Sequence, residues 1–148
     1  NLLFFIKSSL KIKKQIIEID EFDLSIRHIF NYGHTFGHAI EAISNYSVPH
    51  GQAITIGMDL ANYISLNLKM LSLENFNIMH NILIKNKPSY SINSDNIEQY
   101  CSALSKDKKN KGNKLGCILS NGPGNVEKVF LKIDNNLKDL IINYFKVY

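Results

Sequence analysis

The stretch Asn31-Tyr-Gly-His34-Thr-Phe-Gly-His38-Ala-Ile-Glu41, followed by His50-Gly51, holds three histidines that each adjoin a glycine. Apolar residues at helical spacing over 30–44 predict a helix that ends near Asn45. In such a helix His34 and His38 project from one face, with β-carbons about 5–6 Å apart. His50 starts the next segment after a short turn, so the three histidines are predicted to converge on one cleft.

These residues alone leave two interpretations open, a divalent-metal site and histidines that are satisfied by packing. Thr35 stands where the motif H-E-x-x-H has its glutamate, which disfavours metalloprotease chemistry. Glycines inside helices cost about 1 kcal/mol each relative to alanine, and this cost indicates close backbone approach or ligand access. A catalytic zinc commonly takes three protein ligands, of which His34 and His50 can supply two. Glu41 is compatible both with a carboxylate that orients a ligand and with a charge on the helix surface.

Outward from this stretch, the pattern predicts one mainly α domain over 1–148, with several helices and one small β-hairpin near residues 114–133. Further helices are predicted at 10–21, 53–68, 73–85, 94–104 and 135–145, and the second of these is apolar on nearly every side and therefore buried. The turn Asn121-Gly-Pro-Gly-Asn125 joins the two strands and lacks the G-K-[ST] of a phosphate loop. His28 and His80 have neither glycine neighbours nor paired spacing, and we predict no functional role for them.

Composition places the chain among globular proteins, because 45% of its 148 residues are hydrophobic and 20% are charged. The net charge of +4 does not distinguish nucleic acid, an anionic membrane or a phosphorylated metabolite as partner. The lysine-rich cluster at 106–114 lacks interleaved aromatics, so nucleic acid is not expected. Lys7 interrupts the first apolar run, which is too short for a signal or a membrane span.

Two further features bear on cellular context. Cys101 and Cys117 form no C-x-x-C pattern, which favours a reducing cytoplasm over a disulfide framework. Residue 1 is Asn and not Met, so we expect the chain to be part of a longer one.

The whole motif resembles the signature of the sugar phosphate cyclases, and of the 3-dehydroquinate synthase family in particular. It stands here as Arg27-His-Ile-Phe-Asn31-Tyr-Gly-His34-Thr-Phe-Gly-His38-Ala-Ile-Glu41, then His50-Gly-Gln-Ala-Ile-Thr-Ile-Gly-Met58. Lys13 with Asp20-Glu21 upstream, and Asp107-Lys108-Lys109 with Gly112 downstream, extend the match over nearly the whole chain. Three positions depart from the family pattern: Ser25 replaces a glycine, Phe30 a leucine and Gln52 a glutamate.

The resemblance implies the carboxy-terminal domain of an enzyme that turns 3-deoxy-D-arabino-heptulosonate 7-phosphate into 3-dehydroquinate with loss of phosphate. Such a lyase belongs to the shikimate pathway, which leads to chorismate and the aromatic amino acids. It also implies a cytoplasmic homodimer, when full length, that uses NAD and a divalent metal, zinc or another such as cobalt. The NAD-binding domain and a further metal-binding glutamate would precede residue 1, so that no cofactor-binding residue lies in this fragment and the fragment alone is expected to be inactive.

By the same resemblance, each candidate residue has an expected role. His34 and His50 would be metal ligands, and His38 would be catalytic, next to the phosphate of the substrate. Lys13, Arg27 and Asn31 would hold the carboxylate and hydroxyls, and Lys108 or Lys109 would bind the phosphate. Two alternatives stay open. Phe30 is compatible with a paralogous cyclase that acts on another substrate such as sedoheptulose 7-phosphate, and a non-catalytic helical metal-binding module could also keep the motif.

Overall fold

The computed structural model describes residues 2–107 and 110–148. The predicted phosphate contacts of Lys108 and Lys109 lie outside the described residues. The chain forms two compact units, Asn1–Phe30 and Asn31–Tyr148. The prediction of one domain over 1–148 stays a prediction.

The first unit consists mainly of helix α1, Leu2–Ile19. It begins earlier than the predicted start at residue 10, because no glycine or proline interrupts the sequence from Leu2 to Ile19. It ends just before Asp20, whose carboxylate accepts hydrogen bonds from three backbone N–H groups of the following turn, at distances of 2.8 to 3.0 Å. Burial alone would raise the pKa of Asp20, but these backbone hydrogen bonds lower it to about 2. A short 3₁₀ helix, Ile26–Asn31, follows.

The second unit is built from five α-helices and one hairpin among the residues described. The helices are α2 His34–Ile43, α3 His50–Asn67, α4 Leu73–Leu83, α5 Ile97–Ser105 and α6 Asn135–Val147, with a 3₁₀ turn Ile84–Asn86 after α4. Strands β1 Lys114–Gly122 and β2 Asn125–Lys132 pair antiparallel. The prediction of a mainly α fold with a small hairpin at 114–133 is confirmed.

In the second unit, two helices begin later than predicted, for local reasons. The helix expected over 30–44 begins only at His34, because Gly33 before it has a left-handed φ of 77°, which a continuous helix excludes. The helix expected from residue 94 begins at Ile97. Before it, Asn93 and Asn96 accept backbone hydrogen bonds with their side chains and form a turn instead.

Helix α3 forms the centre of the second unit and packs against α2, α4, α6 and strand β1. Every residue from Ala53 to Leu66 is buried or half-buried, so the predicted burial of this helix is confirmed. The flanking helices begin at side-chain caps. The Ser72 hydroxyl accepts from the N–H of Asn75 before α4, and the Asp134 carboxylate accepts from the N–H of Leu137 before α6.

The described residues also bear on a membrane span and on a disulfide bond. Over the described ranges, no helix combines the length and the apolar character needed to cross a bilayer. Cys101 and Cys117 are buried free thiols.

Candidate metal centre

The site is organised by the crossing of α2 and α3 at glycines. A β-carbon on Gly57 would overlap the carbonyl oxygen of Gly33 and lie 2.7 Å from the backbone nitrogen of Gly37. A β-carbon on Gly37 would lie 2.9 Å from the carbonyl oxygen of Ala53. The two helix backbones are therefore in direct contact, and the close approach expected from the glycines is what the structure shows.

Helix α2 is also fixed from its other side. The Thr35 hydroxyl donates to the carbonyl of Gly116 in β1 at 3.1 Å, and the Tyr100 hydroxyl of α5 donates to the carbonyl of Phe36 at 3.0 Å. Both bonds are buried, where an unmade hydrogen bond is costly. They hold α2 at one rotation about its axis, with His38 directed to the exposed side.

The crossing brings the three motif histidines together. Their ring centroids are separated by 5.2 Å for His34 and His38, 5.7 Å for His34 and His50, and 5.9 Å for His38 and His50. His34 and His50 are the first residues of α2 and α3, respectively, while His38 lies one turn further along α2. Helix spacing and the turn between the helices thus place the imidazoles in one cluster.

Glu41 joins this cluster through its carboxylate. Its Oε1 lies 3.0 Å from Nδ1 of His50, and its Oε2 lies 4.0 Å from Nε2 of His38. The Glu41 side chain is only 11% exposed, against 50% for His38 and 60% for His50. Glu41 is therefore not a surface charge, which was one of its two open interpretations.

The donor set suits a divalent transition metal. His38, Glu41 and His50 each offer a ligand atom, and these atoms all lie within 4.8 Å of one another. Imidazole nitrogen and carboxylate oxygen are ligands that zinc and cobalt accept. The Nδ1 atom of His34 lies 3.2 Å from the carbonyl oxygen of Tyr32. If that nitrogen carries the proton, Nε2 of His34 has the lone pair that a metal needs.

The predicted substrate-binding residues divide between the two units. Lys13 is an exposed residue of α1, and the Arg27 guanidinium donates from Nη1 to the carbonyl of Glu21 at 2.6 Å within the first unit. Asn31 is the last residue of the 3₁₀ helix and is half-buried. Their binding roles stay predictions.

One polar network in the second unit was not anticipated from the sequence. Oδ2 of the buried Asp59 accepts from the Tyr144 hydroxyl at 2.7 Å and lies 2.8 Å from Nδ1 of His80. Burial raises the pKa of Asp59, although Tyr144 and His80 act in the opposite direction. An aspartate inside the apolar run of α3 was the signal for this network. We interpret it as a connection between α3, α4 and α6.

Fold and site together define a mainly helical domain that carries a cluster of histidine and glutamate side chains compatible with a metal ion. Residues 1–110 match the model of the family "3-dehydroquinate synthase C-terminal". The chain belongs to this family, and the resemblance seen in its motif is confirmed.

Curated relatives agree with this assignment. The chain is 34% identical to a 3-dehydroquinate synthase of Campylobacter jejuni over 92% of its own length and 38% of the relative. Identity is 37% with the enzyme of Alkaliphilus metalliredigens, over 85% of this chain and 36% of that one. The chain is 41% identical to the 3-dehydroquinate synthase of Dictyoglomus turgidum, over 86% of this chain and 36% of that one. The chain thus spans less than two fifths of the length of these relatives.

Solved structures support the fold. A crystal structure of 2-deoxy-scyllo-inosose synthase complexed with carbaglucose-6-phosphate, NAD+ and Co2+ superimposes with a TM-score of 0.64 at 26% identity, covering 78% of this chain and 34% of that chain. A second structure of 2-deoxy-scyllo-inosose synthase gives a TM-score of 0.59 at 24% identity and covers 76% and 31%.

Proposed function

We propose that this chain is the carboxy-terminal part of a 3-dehydroquinate synthase. The intact protein would convert 3-deoxy-D-arabino-heptulosonate 7-phosphate into 3-dehydroquinate and release phosphate. The observation that carries the proposal is the cluster of His34, His38 and His50, in which the last two lie beside the buried carboxylate of Glu41. Family membership gives this cluster its chemistry, since the similar curated proteins bear the synthase name. A paralogous cyclase and a non-catalytic module are less well supported, because those relatives are named for neither.

We assign the metal to His34 and His50 on the motif match, and His50 also belongs to the group whose ligand atoms lie within 4.8 Å of one another. Both rings have Nδ1 beside an oxygen acceptor, which leaves Nε2 of each as the coordinating atom. A bound zinc or cobalt ion would supply Lewis acidity towards the hydroxyl and carbonyl oxygens of the substrate. A similar cyclase has been solved with Co2+, which supports a divalent metal.

His38 is assigned to the phosphate side of the substrate. Its ring is half exposed and 5.9 Å from that of His50, so it can reach a ligand that approaches from solvent. From there it can donate a hydrogen bond to a phosphate oxygen or move a proton as the phosphate leaves. Lys13, Arg27 and Asn31 are assigned to the carboxylate and hydroxyls, and Lys108 or Lys109 to the phosphate, on the motif match alone.

The cofactor and partners of the intact protein form part of the same proposal. NAD would be held mainly by a region outside this chain and would supply the transient oxidation, as its presence in the similar cyclase supports. We further propose that the intact protein is a cytoplasmic homodimer. It would bind a sugar acid phosphate as its substrate, and neither a nucleic acid nor a membrane.

The test uses the intact protein with NAD and with zinc or cobalt. Phosphate release and product identity are measured with the heptulosonate phosphate and, separately, with sedoheptulose 7-phosphate. We expect turnover of the first substrate only. Turnover of sedoheptulose 7-phosphate alone would show that the protein is a paralogous cyclase and not the synthase proposed. Turnover of neither substrate would refute the proposal that the protein is an enzyme of this kind.

Two ligand variants test the metal assignment. Loss of an outer hydrogen-bond partner of a metal ligand lowers metal affinity by about 10–100-fold. His34→Ala and His50→Ala remove the ligands themselves, so each should lower metal affinity by more than that. His28→Gln is the matched control, because His28 pairs with Asp23 in the first unit and should leave metal content unchanged. Retention of metal by both alanine variants would contradict the assignment.

A further inference from the structure

We infer that Glu41 is a positioning residue that orients His50 for metal binding. The inference rests on the metal use in the proposed function. It starts from the 3.0 Å contact between Glu41 Oε1 and His50 Nδ1, in which one partner is nearly buried and the other mostly exposed.

The contact determines which nitrogen of His50 is available. A carboxylate only accepts hydrogen bonds, so the 3.0 Å contact requires the proton on Nδ1. In the neutral imidazole the lone pair is then on Nε2, which is the form that binds a metal. A carboxylate on the other ring nitrogen also fixes the ring orientation and increases the basicity of the ligand.

His50 needs such a partner because of its place in the fold. It is the first residue of α3, preceded by Pro49, and its side chain is 60% exposed. Packing therefore restrains the ring little, and an unrestrained ring would lose rotamer entropy on binding a metal. The Glu41 carboxylate supplies this restraint in advance.

Glu41 is itself held by the turn that leads to His50. Its carbonyl oxygen accepts from the N–H of Tyr46 at 2.8 Å and from the Ser44 hydroxyl at 3.1 Å. Asn45 and Tyr46 both have left-handed φ, at 49° and 59°, and this reverses the chain after α2. The same turn thus fastens the backbone of the carboxylate and delivers the histidine that the carboxylate orients.

Direct ligation by Glu41 is the alternative role, because ligand atoms of His38, Glu41 and His50 lie within 4.8 Å of one another. Positioning is favoured because Oε1 is already bonded to Nδ1 of His50, and Oε2 is directed towards His38 at 4.0 Å. Each oxygen thus has an imidazole beside it.

The experiment measures Zn2+ and Co2+ affinity of the intact protein by competition with a chelator. Glu41→Ala should weaken binding by about 10–100-fold, and Glu41→Gln should weaken it less, because the amide oxygen still accepts from Nδ1. The visible spectrum of bound Co2+, which reports the number and type of ligands, should be unchanged in both variants. Glu98→Gln, which removes an exposed glutamate paired with Lys138, is the control and should bind as the unsubstituted protein does.

With the fold intact, three results would overturn the inference. These are a Glu41→Ala protein with unchanged affinity, a Co2+ spectrum with one oxygen ligand fewer, and an intact protein that binds no divalent metal. Thermal unfolding of the metal-free variants distinguishes a weakened site from a damaged fold, and a loss of affinity that merely follows a loss of fold in both variants also counts against positioning. If the unsubstituted protein binds metal but turns over no sugar acid phosphate, only the proposed function fails.

Discussion

The helix crossing at Gly57 can be tested by the smallest possible change, Gly57→Ala. The new β-carbon would overlap the carbonyl oxygen of Gly33 and lie 2.7 Å from the nitrogen of Gly37, whereas ordinary contacts begin at 3.4 Å. Both obstacles are backbone atoms, which cannot rotate away, so α2 and α3 must separate. Overpacking of this kind costs about 1–3 kcal/mol, and obstacles in the backbone favour the upper end. Alanine recovers about 1 kcal/mol of helix propensity, which leaves a net loss of about 2 kcal/mol.

Gly51→Ala is a matched control for this substitution. Gly51 lies in the same helix, and a β-carbon there has no heavy atom within 4 Å. The control should leave stability unchanged or raise it by up to about 1 kcal/mol. Urea unfolding followed by circular dichroism compares the two variants, since a change in midpoint at constant slope reports a change in stability.

Metal affinity provides the second measurement for the Gly57 variant. Separation of the helices would move His34 and His38 away from His50, so affinity should fall together with the urea midpoint. Equal midpoints for Gly57→Ala and Gly51→Ala would refute the backbone contact. A lower midpoint with unchanged metal affinity would refute the idea that the crossing assembles the histidines.

Three further substitutions address the buried network and the cap after α1. Tyr144→Phe removes the donor to Asp59 and should lower stability by about 1.5–3 kcal/mol, measured as a lower urea midpoint; an unchanged midpoint would contradict this. Burial raises the pKa of Asp59, so Asp59 keeps its proton to higher pH in the folded state than in the unfolded state. The free energy of unfolding should therefore fall as pH rises above 3.8, and Asp59→Asn should remove this pH dependence. Burial also acts to raise the pKa of Asp20, but backbone hydrogen bonds lower it to about 2. The stability that the ionised Asp20 contributes should therefore be lost as the pH falls from 3.8 to about 2. Hydrogen exchange of the three capped amides should show that loss, and Asp20→Asn should show no such pH dependence.

The sequence predicted which helices exist better than where they begin. Apolar spacing located α3, α4 and α6 because those segments each bury one face or more against the core. The start of α2 was missed because Gly33 adopts a left-handed φ where it packs on Met58 and Ile54, which are remote in sequence. The start of α5 was missed because asparagine side chains compete with the helix for backbone N–H groups.

The site shows the same division between local and remote information. Convergence of the three histidines could be predicted because an i, i+4 pair and a short turn are local features. The role of Glu41 could not be decided, because its exposure depends on how the turn folds back. The bond from Tyr144 to Asp59 joins residues that lie 85 positions apart, and no local pattern in one sequence reports such a pair.

A metal site that must also admit a substrate needs fixed ligands and an open approach, and the second unit separates these two requirements. The fixed part consists of the glycine crossing of the two backbones, the Thr35 hydrogen bond to β1 and the nearly buried Glu41. The open part is the pair of exposed rings, His38 and His50. Because glycines destabilise a helix, a crossing of this kind is favoured only where close backbone contact returns the lost free energy through packing. The arrangement therefore gives up helix propensity in α2 and α3 to hold imidazoles at fixed separations, as the proposed metal chemistry would require.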